Sequence, residues 1–235
     1  KKKQLQQRLE AMPATRSISF AFAAPLARHN IQSNLHLKGH ENNKLVSIKY
    51  ADDQYNQVFA LKMLAGQWLG PSSEDSSGKQ ACVVNQLFLE DYDIENPAQA
   101  LGEIVVFNNN PYEIIGVTAN FYNYSVRNPI SPTVFVRDPK FFFRVYAYAK
   151  DVSPEYQLAF KRAWEELFPS HIFKGKRIKD FIAEQYAEDR RNLRILQIFT
   201  VLALFLALMG LFGMVSYSMG QRKKEIGIRK ALGHT

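Results

Sequence analysis

The chain has 235 residues, a formal net charge of +8 and a single cysteine, Cys82. Its 46% hydrophobic and 22% charged content is typical of folded protein and excludes a disordered chain. One cysteine excludes an intrachain disulfide and a thiolate metal site, and Cys82 is predicted to be a core residue in a short strand. No aromatic-interleaved basic motif is present, so no nucleic-acid partner is expected.

The chain up to residue 150 alternates short predicted helices and strands. The pattern predicts a helix at 4–11, a strand at 16–23, a polar loop at 29–43, a strand at 45–50, a helix at 53–64 and an exposed loop at 70–80. It then predicts a strand at 81–84, a helix at 86–92, a hairpin of strands 104–107 and 112–117, and strands at 133–137 and 144–150. This order indicates an α+β domain.

A strong helix signal follows at residues 154–168. Ser153 supplies an N-cap and Pro154 a proline at the first helical position, while Phe160 and Trp164 lie on one apolar side. A last strand is predicted at 171–174. From Lys179 the helical pattern runs on without Pro or Gly as far as Gly210, which predicts a stalk that continues into an apolar stretch.

The apolar stretch, residues 195–219, contains no Asp, Glu, Lys or Arg. As a helix it is roughly 37 Å long, which exceeds the thickness of about 30 Å of a bilayer's hydrocarbon core. Basic residues flank it on both sides, at Arg190, Arg191 and Arg194 and at Arg222, Lys223 and Lys224. A transmembrane helix is therefore predicted, in preference to a buried core helix.

Small residues follow one side of this predicted span. Ala203, Ala207, Gly210 and Gly213 lie in a narrow sector of the helical wheel, and such a stripe lets a second helix approach closely. These four residues are predicted to form a transmembrane packing surface. The alternative is that they are generic small residues facing lipid.

Three patterns imitate known sites without their complete residues. Gly78 and Lys79 lack the glycine spacing and the Ser or Thr of a phosphate-binding loop. His36 and His40 are not in the HExxH order of a zinc protease, and the acidic run from Asp91 lacks the glycine and the last acid of a calcium loop. No catalytic, cofactor-binding or metal site is predicted, and the chain is not expected to be an enzyme.

The residues after the span, QRKKEIGIRKALGHT, resemble the signature that follows a transmembrane helix in FtsX/MacB-like ABC transporter permeases. Upstream, LKMLAGQWL, VVN, YEIIGVTANFYNYSVRNPISPTVF and WEELFP resemble that family's extracytoplasmic core domain, in the expected order. The resemblance covers nearly the whole chain from about Leu45, and more loosely from Lys1. Asn120 stands where the family commonly has Asp, and His234 where it commonly has Ala.

The resemblance implies a two-lobed α+β extracytoplasmic core domain at residues 1–186. A discontinuous porter-like lobe would comprise 1–50 and 132–179, with an inserted lobe at 51–131. A stalk end and transmembrane helix would follow at 187–219, and a cytoplasmic coupling segment at 220–235. The protein would lie in the bacterial inner membrane, and the sequence is expected to be a fragment of a longer permease.

The resemblance also implies a mechanical role. A cytoplasmic ABC ATPase would hydrolyse ATP, and the permease would transmit the motion to the outer domain in order to extrude a peptide, toxin or lipoprotein. A second permease copy, a periplasmic adaptor and the lipid bilayer are the other implied partners. The segment expected to dock on the ATPase is a short helix that begins at Glu225, and its contact residues are Glu225, Ile228, Arg229, Lys230 and Leu232.

Two other functions remain open from the residues alone. A membrane-anchored sensor or binding module would have a signalling helix after the span, and a tethered enzyme would need a polar pocket. Residues 225–232 can also form a basic amphipathic segment that lies on anionic headgroups.

Overall fold

The structure of the chain is a computed structural model that describes residues 1–27, 30–40, 42–72, 80–125 and 127–232, without the side chains of 185, 188, 225, 230 and 231. The helices are α1 (Lys2–Glu10), α2 (Tyr55–Phe59), α3 (Gln86–Glu90), α4 (Pro154–Leu167), α5 (Ile178–Gln185) and α6 (Ala187–Ala231). The strands are β1 (Thr15–Ala21), β2 (Ile31–Leu37), β3 (Lys44–Tyr50), β4 (Met63–Gly66), β5 (Ala81–Asn85), β6 (Ile104–Phe107), β7 (Asn110–Thr118), β8 (Thr133–Val136) and β9 (Arg144–Ala149).

Six strands close into a small β-barrel, called the ring below. Around it, β7 pairs with β5, β5 with β8, β8 with β3, β3 with β2, and β2 with β6, which returns to β7. The pairs β3–β8 and β5–β7 are parallel, and the other pairs in the ring are antiparallel. The remaining strand of this sheet, β4, pairs with the part of β7 that β6 leaves free. Closure gives each ring strand a partner on both sides, which removes the open edges of a flat sheet.

Two hydrophobic clusters lie on the two faces of the ring strands. Ile48, Cys82 and Val134 belong to the larger cluster, which continues beneath α1. Val83 and Phe135 point the other way, into a smaller cluster centred on the buried ring of Tyr55. Because β5 contributes to both clusters, all five of its residues are buried, as expected for a strand packed on both faces.

The two remaining strands, β1 and β9, form a separate antiparallel sheet. Helix α1 buries Leu5 and Leu9 in the core, and α4 packs beside it through the buried Ala163. The predicted cap of α4 is confirmed, since the Ser153 side chain accepts a hydrogen bond from the backbone N–H of Tyr156 at 3.2 Å. Helix α4 therefore begins and packs as the sequence predicted.

The hairpin of β6 and β7 also agrees with the sequence. Phe107 pairs with Asn110, and the two residues between them, Asn108 and Asn109, both have positive φ angles (49° and 61°). Asparagine tolerates this left-handed conformation, which the preferred two-residue hairpin turn requires at both positions.

Two predictions within residues 29–64 are wrong. The predicted polar loop at 29–43 contains β2, in which Leu35 and Leu37 are buried. The helix predicted at 53–64 ends at Phe59, because Ala60 is left-handed (φ 51°) and the chain then forms β4. In both places pairing with other strands, of β2 with β3 and β6 and of β4 with β7, overrides the local preference of the sequence.

Two further predictions, after α4, are also wrong. Residues 171–174 are not a strand, and the Phe173 ring instead packs on Phe160, with 5.8 Å between ring centroids. The helix predicted to run unbroken from Lys179 is interrupted at Tyr186, whose φ and ψ of −99° and 7° separate α5 from α6.

The chain divides into two compact units, Lys1–Gly175 and Lys176–Thr235. The predicted lobe boundaries within the first unit stay a prediction. Strands β1 and β9 both come from the predicted discontinuous lobe, but the ring combines β2, β3 and β8 of that lobe with β5, β6 and β7 of the predicted insertion. Most of the loop predicted at 70–80, including Gly78 and Lys79, lies outside the described residues.

We expect the chain cut after Gly175 to fold alone, because both hydrophobic clusters and all nine strands named above lie before that residue. Urea unfolding followed by far-UV and near-UV circular dichroism should give one cooperative transition with coincident curves. A chain cut after Leu167 is the matched control and should be less stable, because it lacks Phe168 and Phe173, whose rings pack on α4. Equal stability of the two fragments would contradict this packing.

Candidate functional site

The longest helix, α6, contains the predicted membrane span. Its segment Asp189–Arg229 is long and apolar enough to cross a membrane, with a mean hydropathy of 2.6 in its most apolar part. None of that part is buried within the chain, so its side chains are open to a surrounding solvent or partner. A soluble core helix of similar composition would be mostly buried, which favours a membrane-spanning helix.

The stripe of Ala203, Ala207, Gly210 and Gly213 lies on one side of α6 and is exposed. A Cβ atom added at Gly210 or Gly213 would meet no other atom within 4 Å. The surface therefore has room for the close approach of another helix. Its role in packing stays a prediction.

The predicted coupling segment lies at the far end of the same helix. α6 passes through Gly220 and Gly227 without a break and ends at Ala231, whereas the sequence predicted a separate short helix beginning at Glu225. Ile228 and Leu232 share one side and are 62% and 75% exposed. Arg229 also lies on the described helix.

The side chains of Glu225 and Lys230, and all of residues 233–235 including His234, lie outside the described residues. The predicted contribution of Glu225 and Lys230 to coupling therefore stays a prediction. At this end the structure shows two exposed apolar residues, Ile228 and Leu232, at the end of the same helix that contains the span.

No group of three or more His, Cys, Asp or Glu side chains that could hold a metal ion is present in the part of the chain that the structure describes. His36 lies 3.2 Å from the amide oxygen of Asn43, and the His40 ring packs edge-on against Tyr92. Cys82 is fully buried, and burial raises the pKa of its thiol well above the usual range. A thiol in that setting is unreactive.

A buried polar network occupies the strand ends near residue 85. The Asn85 side chain, which is fully buried, accepts hydrogen bonds from the backbone N–H groups of Thr133 (2.8 Å) and Phe88 (3.2 Å). Its amide nitrogen donates to the carbonyl of Ser131 (3.1 Å) and to the side-chain oxygen of Asn120 (3.2 Å). All four hydrogen-bonding positions of this amide are therefore used.

The network extends to a buried lysine on β3. Asn123 donates to the hydroxyls of Ser131 and Thr133, and its backbone carbonyl accepts from Asn30 at 3.3 Å. Asn30 in turn accepts from the Lys49 ammonium nitrogen at 3.0 Å. Only 1% of Lys49 is exposed, and burial lowers the pKa of its side chain to about 7.

The model of the MacB-like periplasmic core domain matches residues 4–165. The chain belongs to this family. It is therefore the MacB-like periplasmic core domain of an ABC-transporter-type permease, followed by a helix able to span the membrane. No curated protein matches the chain by sequence.

Two solved structures share the fold. The periplasmic region of MacB from Actinobacillus actinomycetemcomitans is 17% identical, with a TM-score of 0.50, and the match covers 72% of this chain and 73% of that one. The extracellular domain of the noncanonic ABC-type transporter YknZ from Gram-positive bacteria is 16% identical, with a TM-score of 0.51, covering 72% and 83%. The α+β fold predicted from the family resemblance is confirmed. A MacB-like domain followed by an apolar helix identifies an inner-membrane protein with an extracytoplasmic domain.

The MacB-like motif residues explain how this fold is held together. Asn120, where the family commonly has Asp, uses its side-chain oxygen to accept from Asn85 and from the backbone N–H of Leu87 at 2.8 Å. Aspartate could make both contacts, so the departure preserves the acceptor. At Gly116, within the YEIIGV motif, a Cβ atom would lie 2.1 Å from the carbonyl oxygen of Gln67, so only glycine fits.

Sequence reasoning missed the buried polar residues of this MacB-like domain. Ser47 and Lys49 alternate with Val46 and Ile48 along β3, a pattern that usually places the polar residues in water. The structure instead buries both polar side chains. The asparagines that cluster around the VVN and ANFYNY motifs were the available signal, because buried amides need partners.

We expect Lys49→Met to change how stability depends on pH. The pKa of Lys49 is about 7 in the folded domain and 10.5 is its ordinary value, so between these values the unfolded chain binds a proton that the folded chain does not. Raising the pH through this window therefore stabilises the wild-type fold, by about 2 kcal/mol between pH 7 and 9. Urea unfolding should show a smaller rise for Lys49→Met.

The matched control for this measurement is Lys38→Met, at an exposed turn after β2. It should follow the wild-type pH dependence. If Lys49→Met also followed the wild-type curve, Lys49 would be charged in the folded domain and the desolvation argument would be wrong.

Proposed function

We propose that the chain is part of a permease subunit that transmits ATP-driven motion from a cytoplasmic ATPase to the MacB-like domain outside the membrane. The observation that carries this proposal is the continuity of α6, which extends from Ala187 past the apolar stretch to Ala231 as one helix. Membership of the MacB-like family supports the ATPase partner, because such domains belong to ABC transporter systems.

A continuous helix is a suitable mechanical element. The 45 residues of α6 form a rod roughly 67 Å long, more than twice the hydrocarbon thickness of a bilayer. Its backbone hydrogen bonds are internal, so a displacement applied at one end is passed along the helix rather than absorbed by a loop. Gly220 and Gly227 leave the helix unbroken, which keeps the coupling end attached to the span.

The coupling end has the composition of a docking helix. Ile228 and Leu232 provide an apolar side, and an amphipathic helix with such residues at i and i+4 can bind in a groove of a partner. Arg229, with Glu225 and Lys230, would add charged contacts at the rim. ATP hydrolysis is assigned to the partner, and this chain itself is not an enzyme under the proposal.

The wider assembly follows from the same role. A second permease copy would pack through the stripe that includes Gly210 and Gly213, and a periplasmic adaptor would receive the substrate from the outer domain. Peptides, toxins and lipoproteins are the substrate classes proposed. The alternative function is a single-pass sensor or binding module. It requires no ATPase at the coupling segment, so the ATPase-binding experiment below distinguishes it from the proposal.

We expect the coupling segment to lie in the cytoplasm and the outer domain on the other side of the membrane. Five basic residues follow the span within the coupling segment, against three arginines before it, and basic residues near a span favour the cytoplasmic side. Lys38→Cys, on an exposed turn, should react with an impermeant maleimide in intact spheroplasts. Ile226→Cys should react only after permeabilisation. The native Cys82 is buried and gives little background. Labelling of Ile226→Cys alone in intact spheroplasts would contradict this topology.

We expect the coupling end to be required for ATPase binding. In the full-length permease reconstituted with its ATPase, Ile228→Asp combined with Leu232→Asp should reduce complex formation and transport-linked ATP hydrolysis at least tenfold, because two charges replace the apolar contact. Co-purification and a phosphate-release assay in proteoliposomes measure these effects.

The matched control compares the single variants Ile228→Asp and Ile226→Asp, which add the same charge on opposite sides of α6. Ile226 is 63% exposed, against 62% for Ile228, so the two positions differ in direction rather than in burial. Ile226→Asp should retain most of the activity. Equal loss in both variants would indicate a general effect of charge beside the membrane, as expected if this end lies on headgroups.

A further inference from the structure

The outer face of α4 carries a self-complementary row of side chains. Glu155, Leu158, Ala159, Arg162 and Glu166 fall within a helical sector of about 100°, away from the side that packs on the core. Leu158 is 48% exposed although it is apolar. The row combines an apolar centre with charged residues on either side, as in helices that pack against another helix.

This row lines a shallow groove beside α1. The groove has a volume of about 510 Å³, and Met12, two residues after the end of α1, adds to its apolar floor. At one end of the groove, Arg8 of α1 forms an exposed ion pair with Glu166. In the described part of the chain, by contrast, neither Glu155 nor Arg162 has a charged partner.

We propose that this face of α4 packs against the same face of α4 in a second copy of the chain. The helices would run antiparallel about a two-fold axis between Leu158 and Ala159. Glu155 and Arg162 lie three to four residues on either side of that axis, roughly 5 Å along the helix. The two-fold operation therefore places Glu155 of each copy opposite Arg162 of the other, and it brings Leu158 and Ala159 each next to their own counterparts at the axis.

Symmetry makes each favourable contact occur twice. An isologous interface repeats the ion pair, and the small Ala159 side chains at the axis let the two helices approach closely. A parallel arrangement would place like charges together, so the charges also select the antiparallel orientation. The contact thus specifies both the partner and its direction.

The small size of this interface is compatible with its proposed setting. A single pair of helices buries less surface than a stable soluble dimer needs. Two copies held in one membrane experience a much higher effective concentration, so a weak contact between their outer domains is sufficient. The inference rests on the second copy in the proposed function but not on the coupling segment.

Cysteine cross-linking of the full-length chain in proteoliposomes tests the interface. Ala159→Cys lies next to its own counterpart across the axis and should form a disulfide-linked dimer on mild oxidation. Gln157→Cys is exposed on α4 but points about 160° away from Ala159, which is half-buried, and it should remain monomeric. The buried Cys82 does not contribute.

Charge reversal provides the second arm. Glu155→Arg in the Ala159→Cys background places two arginines together and should slow cross-linking at least tenfold. Adding Arg162→Glu restores opposite charges in exchanged positions. Cross-linking should then return to the rate of Ala159→Cys alone. The interface would be overturned if the chain ran as a dimer on native gels but Ala159→Cys did not cross-link. It would also be overturned if Arg162→Glu did not restore cross-linking. Either result would leave the proposal of a second copy standing. Monomers alone would overturn both, and the ATPase assay tests coupling separately.

Discussion

The outer domain depends on the closure of its six-stranded ring, and closure depends on β7. This strand pairs with β5 along one edge and with both β4 and β6 along the other. Gly116 lies where the chain after β4 comes closest, and a side chain there would occupy the position of the Gln67 carbonyl. If β7 were displaced, β5 and β6 would each lose a partner, and their backbone groups would be left without hydrogen bonds.

The polar network provides the second constraint on the ring. Strands that carry only Val, Ile and Phe can slide against one another with little change in buried area. The Asn85 amide binds groups from β8, from α3 and from the segment around Asn120, and its four hydrogen bonds can form together in only one register. Burial of Lys49 costs stability, but the ammonium group binds Asn30 and extends the same network to β3.

Features set by neighbouring residues were predictable from the sequence, whereas those set by distant residues were not. The α4 cap at Ser153, the turn at Asn108 and Asn109, and the apolar stretch of α6 depend on local patterns. Strand β2 is polar, and it becomes a strand because β3 and β6 flank it. Lys49 is buried because tertiary packing covers the face on which it lies. At the candidate coupling end, the exposed apolar pair was visible in the sequence, but the unbroken helix was not.

The pairing of β1 with β9 has a consequence for how the domain reaches its folded state. Ile18 lies beside Ala147, and the parallel neighbours Ile48 and Val134 are also far apart along the chain. Contacts of such high sequence separation form slowly, since a long loop must close before any of them is gained. The N-terminal strands must therefore cross the membrane and wait, with apolar surface exposed, until β8 and β9 have followed. Biogenesis of such a domain calls for protection of the emerging chain from aggregation outside the cytoplasm.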